Sequence, residues 1–363
     1  MLDAMRALAV LCVVTVHVYS FSAPGSAPIP GVLAHLNLGV TIFFLISGFL
    51  LYRPFIAHRS QGPDRPGFLR YARRRALRIL PAYWLALTVL TIIPGALGVG
   101  DGSGISRYAL VHTLSLNAAG DTCVFDVHCG LAQTWSLAVE ASFYLALPLL
   151  FLASEFVATR ISGRRWVGVE LIGLAILSAG SVVLRATPQQ GPSAVISGTL
   201  IGSFLWFALG MSLAVVSVAI EGNLAPGWLR ALRRFPAACW LIAVAMYALL
   251  AIELPASAFL LSEVQFRWIH LAFAAIAFLL LLPAIFADPG KTPLARLLGH
   301  PTLAWVGLVS YGVFLWHYVI ALRLGSDGAE LGFWPLLAAT LIASLLAATL
   351  SYYLLERPLL RRK

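Results

Sequence analysis

An arginine and a histidine, Arg6 and His17, lie eleven positions apart in the first apolar stretch of the chain. Eleven residues of helix turn through about 1100° and rise about 16 Å, so the two side chains share one face. Histidine has a pKa of about 6.5 and can accept a proton from an attacking hydroxyl group at neutral pH. We therefore interpret His17 as a candidate general base. The alternative is a buried histidine that hydrogen-bonds a neighbouring carbonyl.

A stripe of polar side chains occurs in a later apolar stretch. Gln133, Ser136, Glu140 and Tyr144 recur at intervals of three and four residues, which places them on one face of a helix. Ionisable groups inside a membrane are costly and usually face a wet interior. Glu140 is expected about 13 Å and His17 about 7 Å below the outer surface, so the two could share a level within the uncertainty of the helix ends. We expect Glu140 to orient His17 or an acceptor, and a helix-packing hydrogen bond is the alternative.

Four arginines, Arg73, Arg74, Arg75 and Arg78, cluster before another apolar stretch. Arg75 and Arg78 are three positions apart, so both can point the same way from one helix. Guanidinium groups match phosphate oxygens through paired hydrogen bonds, whereas simple topology-setting charge is the alternative role. A donor with an anionic head and a long thin arm would reach from these arginines to His17. Acyl-coenzyme A has this shape.

The composition requires a membrane to hold these groups. Hydrophobic residues make up 60% and charged residues 11% of the 363 positions, and the mean hydropathy is +0.88. Average soluble domains are about 45–50% apolar and about 25% charged. The net charge of +10 does not indicate nucleic acid, because the basic residues follow the pattern of membrane topology.

We predict an all-α integral membrane protein with about ten transmembrane helices, in the inner or plasma membrane of the cell. One membrane domain covers 1–363, and both termini are cytoplasmic because basic residues collect in the segments then placed inside. Only Arg107, Arg185, Arg267 and Arg323 fall at outside positions. The predicted spans are 5–21, 36–53, 76–95, 132–153, 167–184, 197–219, 237–253, 266–286, 302–322 and 333–354.

Two cysteines, Cys123 and Cys129, lie in the longest outside loop, about 96–131. An oxidising compartment favours a disulfide between them. Asp126 and His128 lie between the two cysteines, so a metal site is the alternative, although the spacing lacks a second pair of ligands. No other metal motif or phosphate-binding glycine loop is found, and no bound cofactor is predicted beyond an acyl-CoA donor.

Short motifs in the same order along the chain resemble the acyltransferase 3 family of membrane O-acyltransferases. Arg6 and His17 match its arginine and histidine separated by ten residues, although Ala4 stands where the family often has glycine. The other similar segments are Gly39-Val40 with Phe43 to Phe49, Arg75-Ala76-Leu77-Arg78 with Pro81, Trp135 to Glu140 with Phe143, Tyr144 and Pro148, Ser310 to His317, and Glu356-Arg357-Pro358.

This resemblance implies transfer of an acyl group, often acetyl, from cytoplasmic acyl-CoA to a hydroxyl of a carbohydrate or a glycosylated metabolite. It casts His17 as the general base and Arg6, Arg75 and Arg78 as donor-binding residues. Ser47, Ser136, Tyr144, Tyr311 and His317 are expected to line the substrate cavity. Family members often carry a C-terminal hydrolase-like domain, and we expect none in this chain.

Two other functional classes remain open at this point. Polar residues inside a membrane also mark the substrate pathways of transporters and flippases. A structural partner in a glycan-assembly complex is the third possibility, and such a protein would tolerate loss of His17.

Overall fold

The computed structural model describes residues 1–61, 67–92, 131–158, 160, 165–186, 198–221, 227–256, 261–326 and 331–361. Within these ranges the chain is helical and contains no β-strand, which confirms the all-α prediction. A 3₁₀ turn, Ala132–Thr134, precedes the fifth α-helix, and a π-helical segment, Tyr352–Glu356, connects the last two. Cys123 and Cys129, with their predicted disulfide, lie outside the described residues.

The α-helices are numbered here in chain order. They are α1 (Leu2–Phe21), α2 (Pro30–Ala34), α3 (Leu38–Gln61), α4 (Phe68–Ile92), α5 (Trp135–Ala158), α6 (Arg165–Ala186), α7 (Leu200–Ala219), α8 (Gly227–Arg234), α9 (Pro236–Glu253), α10 (Glu263–Phe286), α11 (Pro293–Leu298), α12 (Pro301–Ser326), α13 (Phe333–Ser351) and α14 (Arg357–Arg361).

Nine helical segments in the described part of the chain are long and apolar enough to cross a membrane. The multi-pass prediction is therefore confirmed. One predicted span, 76–95, has no counterpart among these nine segments. It falls largely in α4, which is 25 residues long and carries five arginines in its first half. The second half of α4 nevertheless packs inside the bundle through buried Tyr83 and Ala86.

The packing of α1 against α12 supports a crossing by α4. A Cβ atom at Gly307 would lie 1.8 Å from the backbone oxygen of Asp3, and one at Gly325 would lie 2.5 Å from that of Phe21. The two helices therefore run parallel and in close contact, as small residues permit in membranes. Parallel spans need an odd number of crossings between them. Among the described residues, helices α3, α5, α6, α7, α9 and α10 make six, and a crossing by α4 would make the seventh. The cytoplasmic location of the termini stays a prediction.

The helices form two hydrophobic clusters that share α1. The first half of α1 packs with α3, α5, α7 and α10, and its second half packs with α4, α12 and α13. Helix α1 thus lies at the junction of the two clusters. Because α1 carries both Arg6 and His17, its central location places these polar groups where several helices can reach them.

Candidate functional site

An internal cavity of about 110 Å³ lies between α1, α3, α4, α5 and α12. Eight of the ten predicted site residues in the described part of the chain line it together. Apolar side chains, among them Phe43, Leu137 and Phe314, complete the wall. The predicted residues around this cavity are Arg6, Ser47, Arg75, Arg78, Ser136, Glu140, Tyr144 and Tyr311.

The carboxylate of Glu140 is held on one side of the cavity. The Ser47 hydroxyl of α3 donates a hydrogen bond to Glu140 Oε1, and the side chain of Tyr144 lies beside the same carboxylate. The Arg75 guanidinium lies 5.9 Å from the centre of the Tyr144 ring. Helix α4 is attached here by the Tyr71 hydroxyl, which donates to the Tyr144 carbonyl over 3.2 Å. Ser136, Glu140 and Tyr144 of α5 therefore share the cavity with Arg75 and Arg78 of α4, a pairing that helical spacing alone did not predict.

Two arginines of α4, Arg75 and Arg78, line the cavity, and neither forms an ion pair with a described carboxylate. Within the described residues, neither Arg75 nor Arg78 has a carboxylate within 4 Å, and the buried Arg75 Nε has no hydrogen-bond partner. An anionic group in the cavity would satisfy donors that no described side chain satisfies. The Tyr311 hydroxyl of α12 donates to the Ile79 carbonyl over 2.9 Å, which fixes this part of α4 against α12.

A buried glutamate, Glu356, lies near Arg78 of α4. It is 2% exposed, closes the π-helical segment and accepts a hydrogen bond from the Ser351 hydroxyl over 3.4 Å. Its charge is close enough to interact with Arg78. Sequence reasoning noted Glu356 only within a motif. The π-helical turn that brings it back into the bundle leaves no clear spacing signal, although such turns frequently occur at functional sites.

A second space, an open cleft of about 910 Å³, adjoins the cavity at Arg6 and Leu50. It is bounded by the first residues of α1, by the segment after α10, and by Arg296 on α11. Arg6 also forms an ion pair with Asp3, 2.6 Å from Nη1 to Oδ1. Arg6 therefore connects a wide outer space with a narrow inner one. Arg296 was predicted only as topology-setting charge, because nothing in its local sequence shows that α11 lies beside α1.

His17 and His317 form a pair that does not line the cavity. His17 Nδ1 lies 3.0 Å from His317 Nε2, and His317 Nδ1 lies 3.0 Å from the Val313 carbonyl oxygen. The expected contact between His17 and Glu140 is not formed, since Glu140 is bonded to Ser47 instead. The depth estimate fixed only the level of each side chain in the membrane. It could not show that α12, rather than α5, faces His17.

The hydrogen bonds assign the ring tautomers of the pair. A carbonyl oxygen can only accept, so His317 Nδ1 carries the proton, and the Nε2 of that neutral ring is an acceptor. His17 must then donate through its own Nδ1–H. This leaves the lone pair on His17 Nε2, the nitrogen that can take a proton from a substrate. A histidine oriented through one nitrogen to act with the other is a common arrangement for an acid–base group.

One aromatic residue, Phe314, lies between the cavity and the histidine pair. Its side chain lines the cavity, and its ring centre lies 6.0 Å from that of His317. The neighbouring backbone is anchored by Gln133, whose side-chain amide donates to the Leu315 carbonyl over 3.2 Å. The cleft, the cavity and the histidine pair therefore follow one another along α1 and α12, with Phe314 at the last boundary.

No group of three or more His, Cys, Asp or Glu side chains that could hold a metal ion is found among the described residues. Asp126 and His128, the alternative ligands beside the two loop cysteines, lie outside those residues. The histidine pair has no carboxylate or thiol among its hydrogen-bond partners.

The fold and the site define a multi-pass membrane protein with a polar interior that opens at one face. The chain belongs to the acyltransferase 3 family, whose model, described as an acyltransferase domain, matches residues 1–356. No solved structure matches the chain at a significant level.

Several bacterial proteins are similar to the chain. The protein YrhL of Bacillus subtilis (strain 168) is 28% identical over 99% of this chain, and the match covers 54% of that relative. The peptidoglycan O-acetyltransferase OatA of Listeria monocytogenes is 26% identical over 99% of this chain, with 55% of its own length covered. The exopolysaccharide production protein ExoZ of Rhizobium meliloti is 26% identical, and 89% of each protein is covered. The chain thus spans about half the length of the first two relatives.

Proposed function

We propose that this protein transfers an acetyl group from acetyl-CoA to a hydroxyl of a cell-surface carbohydrate, with His17 as the general base. Membership of the acyltransferase family and the names of the peptidoglycan and exopolysaccharide relatives support the reaction class. The observation that carries the proposal is the contact of His17 Nδ1 with His317 Nε2, which leaves His17 Nε2 for a substrate, next to the cavity wall formed by Phe314.

The open cleft and the inner cavity differ in size, as do the nucleotide and the thin acylated arm of acetyl-CoA. Complete small-molecule sites usually enclose about 300–1,000 Å³. The open cleft reaches that size, and Arg6 and Arg296 on its wall suit the phosphates of coenzyme A. The inner cavity of about 110 Å³ is too small for a whole nucleotide but suits a thin acylated arm. Arg75 and Arg78 would then bind polar groups of that arm.

The proposed reaction needs one base and one proton path. The acceptor hydroxyl attacks the thioester carbonyl carbon while its proton passes to His17 Nε2. The new C–O bond replaces the C–S bond, and the leaving thiolate takes the proton back from His17 as free coenzyme A is released. His317 stabilises the transient positive charge by accepting the Nδ1–H hydrogen bond. Glu140, held by Ser47, positions Tyr144 and Arg75 at the cavity wall.

An acetyl-histidine intermediate is an alternative use of the same nitrogen. His17 Nε2 would attack the thioester first, and the acceptor hydroxyl would attack the acetylated ring in a second step. Mass spectrometry of protein mixed with acetyl-CoA, without acceptor, distinguishes the two routes. A stable acetyl mass on the peptide that contains His17 supports the intermediate.

The direct test compares His17→Asn with the unchanged protein in lipid nanodiscs. The asparagine amide can still donate toward His317, but it cannot accept a proton at the position of Nε2. We expect acceptor-dependent release of free coenzyme A to fall by at least about a hundredfold. The matched control is His58→Asn, which changes a histidine outside both the cavity and the pair. Retained turnover in His17→Asn would rule out the base.

The same polar path is compatible with a transporter or flippase, which is the competing function. A transporter would take up labelled substrate into vesicles without cleaving the thioester, whereas the enzyme releases coenzyme A. Mass spectrometry of surface glycans from cells that carry wild-type protein or His17→Asn would then identify the acceptor by its lost acyl mass.

A further inference from the structure

A third space lies at the opposite end of the bundle from the open cleft beside Arg6 and Arg296. It is a groove of about 260 Å³ between the end of α6 and the start of α10. Val182, Arg185 and Ala186 line it from α6, and Arg267, His270 and Leu271 line it from α10. Both sets have the spacing i, i+3, i+4, so each forms one helical face directed at the other.

A buried histidine, His270, has no partner in this groove. It is 3% exposed, and neither of its ring nitrogens has a hydrogen-bond partner in the described part of the chain. Its ring is stacked 4.3 Å from that of Trp206 on α7, whose indole N–H donates to the His270 carbonyl over 3.1 Å. Buried polar atoms are normally satisfied. A fixed ring with unsatisfied nitrogens therefore points to an absent hydrogen-bonding ligand.

Two arginines give the groove its charge. The Arg185 guanidinium lies 4.9 Å from the centre of the Phe266 ring, which orients its planar group. Arg267 donates to the exposed carboxylate of Glu263 over 3.2 Å, while its buried Nε has no hydrogen-bond partner among the described residues. Both guanidinium groups line the groove with His270, and Arg267 keeps a buried nitrogen without a described partner. A ligand with several anionic oxygens matches this arrangement.

The surroundings of the groove indicate that this ligand also has an apolar part. Val183 and Val264 on the two helices are 64% and 58% exposed, and Trp268 on the groove wall is 66% exposed. On spanning helices such side chains face lipid, and tryptophan is enriched at the level of the headgroups. We propose that the groove binds the phosphate headgroup of an anionic membrane lipid, with Arg185, Arg267 and His270 as its ligands.

The location agrees with the sequence pattern. Arg185 and Arg267 are two of the four arginines that the topology places outside, against the general bias of basic residues. Alternating spans put the end of α6 and the start of α10 on the same side of the membrane as Phe21, the last residue of α1. The lipid would therefore come from the leaflet opposite the donor cleft. This inference is independent of the proposed acetyl transfer.

The test measures lipid binding rather than enzyme activity. Detergent-solubilised protein is titrated with phosphatidylglycerol or phosphatidylcholine, and bound lipid is counted by native mass spectrometry. We expect phosphatidylglycerol to bind more tightly than phosphatidylcholine, and Arg185→Gln with Arg267→Gln to weaken it by about thirtyfold, since each basic group contributes about fivefold. The control, Arg165→Gln with Arg234→Gln, removes the same charge from exposed positions elsewhere and should retain the preference.

A second variant, His270→Phe, distinguishes loss of lipid binding from loss of folding. His270→Phe keeps a ring against Trp206 but removes the nitrogens, so we expect weaker phosphatidylglycerol binding with an unchanged or higher melting temperature. Equal lipid binding by wild type and both groove variants would overturn the proposal. Displacement of the lipid by millimolar inorganic phosphate would also overturn it, because the site would then recognise a free anion. Failure of inorganic phosphate to compete supports a lipid ligand.

Discussion

Two glutamates are held against α3 in different ways, and they differ in whether the neighbouring arginines are bonded to the carboxylate. Glu170 of α6 accepts hydrogen bonds from Tyr52 and Ser154 and forms an ion pair of 2.8 Å with Arg59. Glu140 of α5 is bonded to Ser47, and the nearby arginines form no ion pair with it in the described chain.

The difference lies in what the arginines face. Both terminal nitrogens of Arg59 are bonded, to Glu170 and Ser154, and its guanidinium lies 5.4 Å from the centre of the Phe151 ring. Its buried Nε, like that of Arg75, has no described hydrogen-bond partner, so the difference lies in the terminal nitrogens. Arg75 and Arg78 instead line an open cavity. A closed network stabilises the fold, whereas an open one keeps charge available for a ligand. Substitutions in the two networks should therefore affect different properties.

The largest effect is expected in the closed network. Arg59→Ala would leave Glu170 buried without its ion-pair partner, and breaking such a pair typically costs about 3–5 kcal/mol. We expect the free energy of unfolding in detergent to fall by about 3 kcal/mol, while coenzyme A release per folded molecule stays within about twofold of wild type. A stable but inactive Arg59→Ala protein would contradict this assignment.

A smaller effect, and of the opposite kind, is expected for Glu140→Gln. The amide has the same shape and can still bond Ser47, so the melting temperature should change little. Loss of the negative charge should disturb Arg75 and Tyr144 and lower kcat by about a hundredfold, a typical loss for a group that positions catalytic machinery. Strong destabilisation with normal kcat would place Glu140 in the structural class with Glu170.

The smallest effect is expected for Arg75→Lys. Lysine keeps the charge but loses the planar donor pair, so we expect the donor KM to rise about tenfold with kcat nearly unchanged. Arg74→Lys, at an exposed position on the same helix, is the control and should leave KM unaltered. An unchanged donor KM in Arg75→Lys would indicate that Arg75 only sets the membrane topology by its charge.

Much of the cavity could be predicted because its geometry is local to single helices. The phases of Arg75 with Arg78, and of Ser136 with Glu140 and Tyr144, follow from 3.6 residues per turn and need no knowledge of neighbouring helices. The long apolar stretches likewise predicted the spans. The span 76–95 was predicted in the same way and falls largely in α4, which is not among the nine candidate spans of the described chain.

The partners across helices could not be predicted. His317 lies 300 positions from His17, and the contact depends on the close parallel packing of α1 and α12 at Gly307. The sequence contains thirty glycines, and nothing in it indicates that Gly307 and Gly325 lie where α12 contacts α1. The same reason applies to Arg296, which reaches the cleft only because α11 packs beside α1.

The Val313 carbonyl, which is bonded to His317, bears on whether the protein could conduct protons across the membrane. A protein with polar groups through the depth of a membrane risks conducting protons down the transmembrane gradient. The hydrogen-bonded series from His17 through His317 ends at this peptide oxygen, which is too weak a base to accept a proton. If His17 acts as the proposed base, a proton that it takes up would leave from the same nitrogen. The histidine pair could then act in each turnover without conducting protons across the membrane.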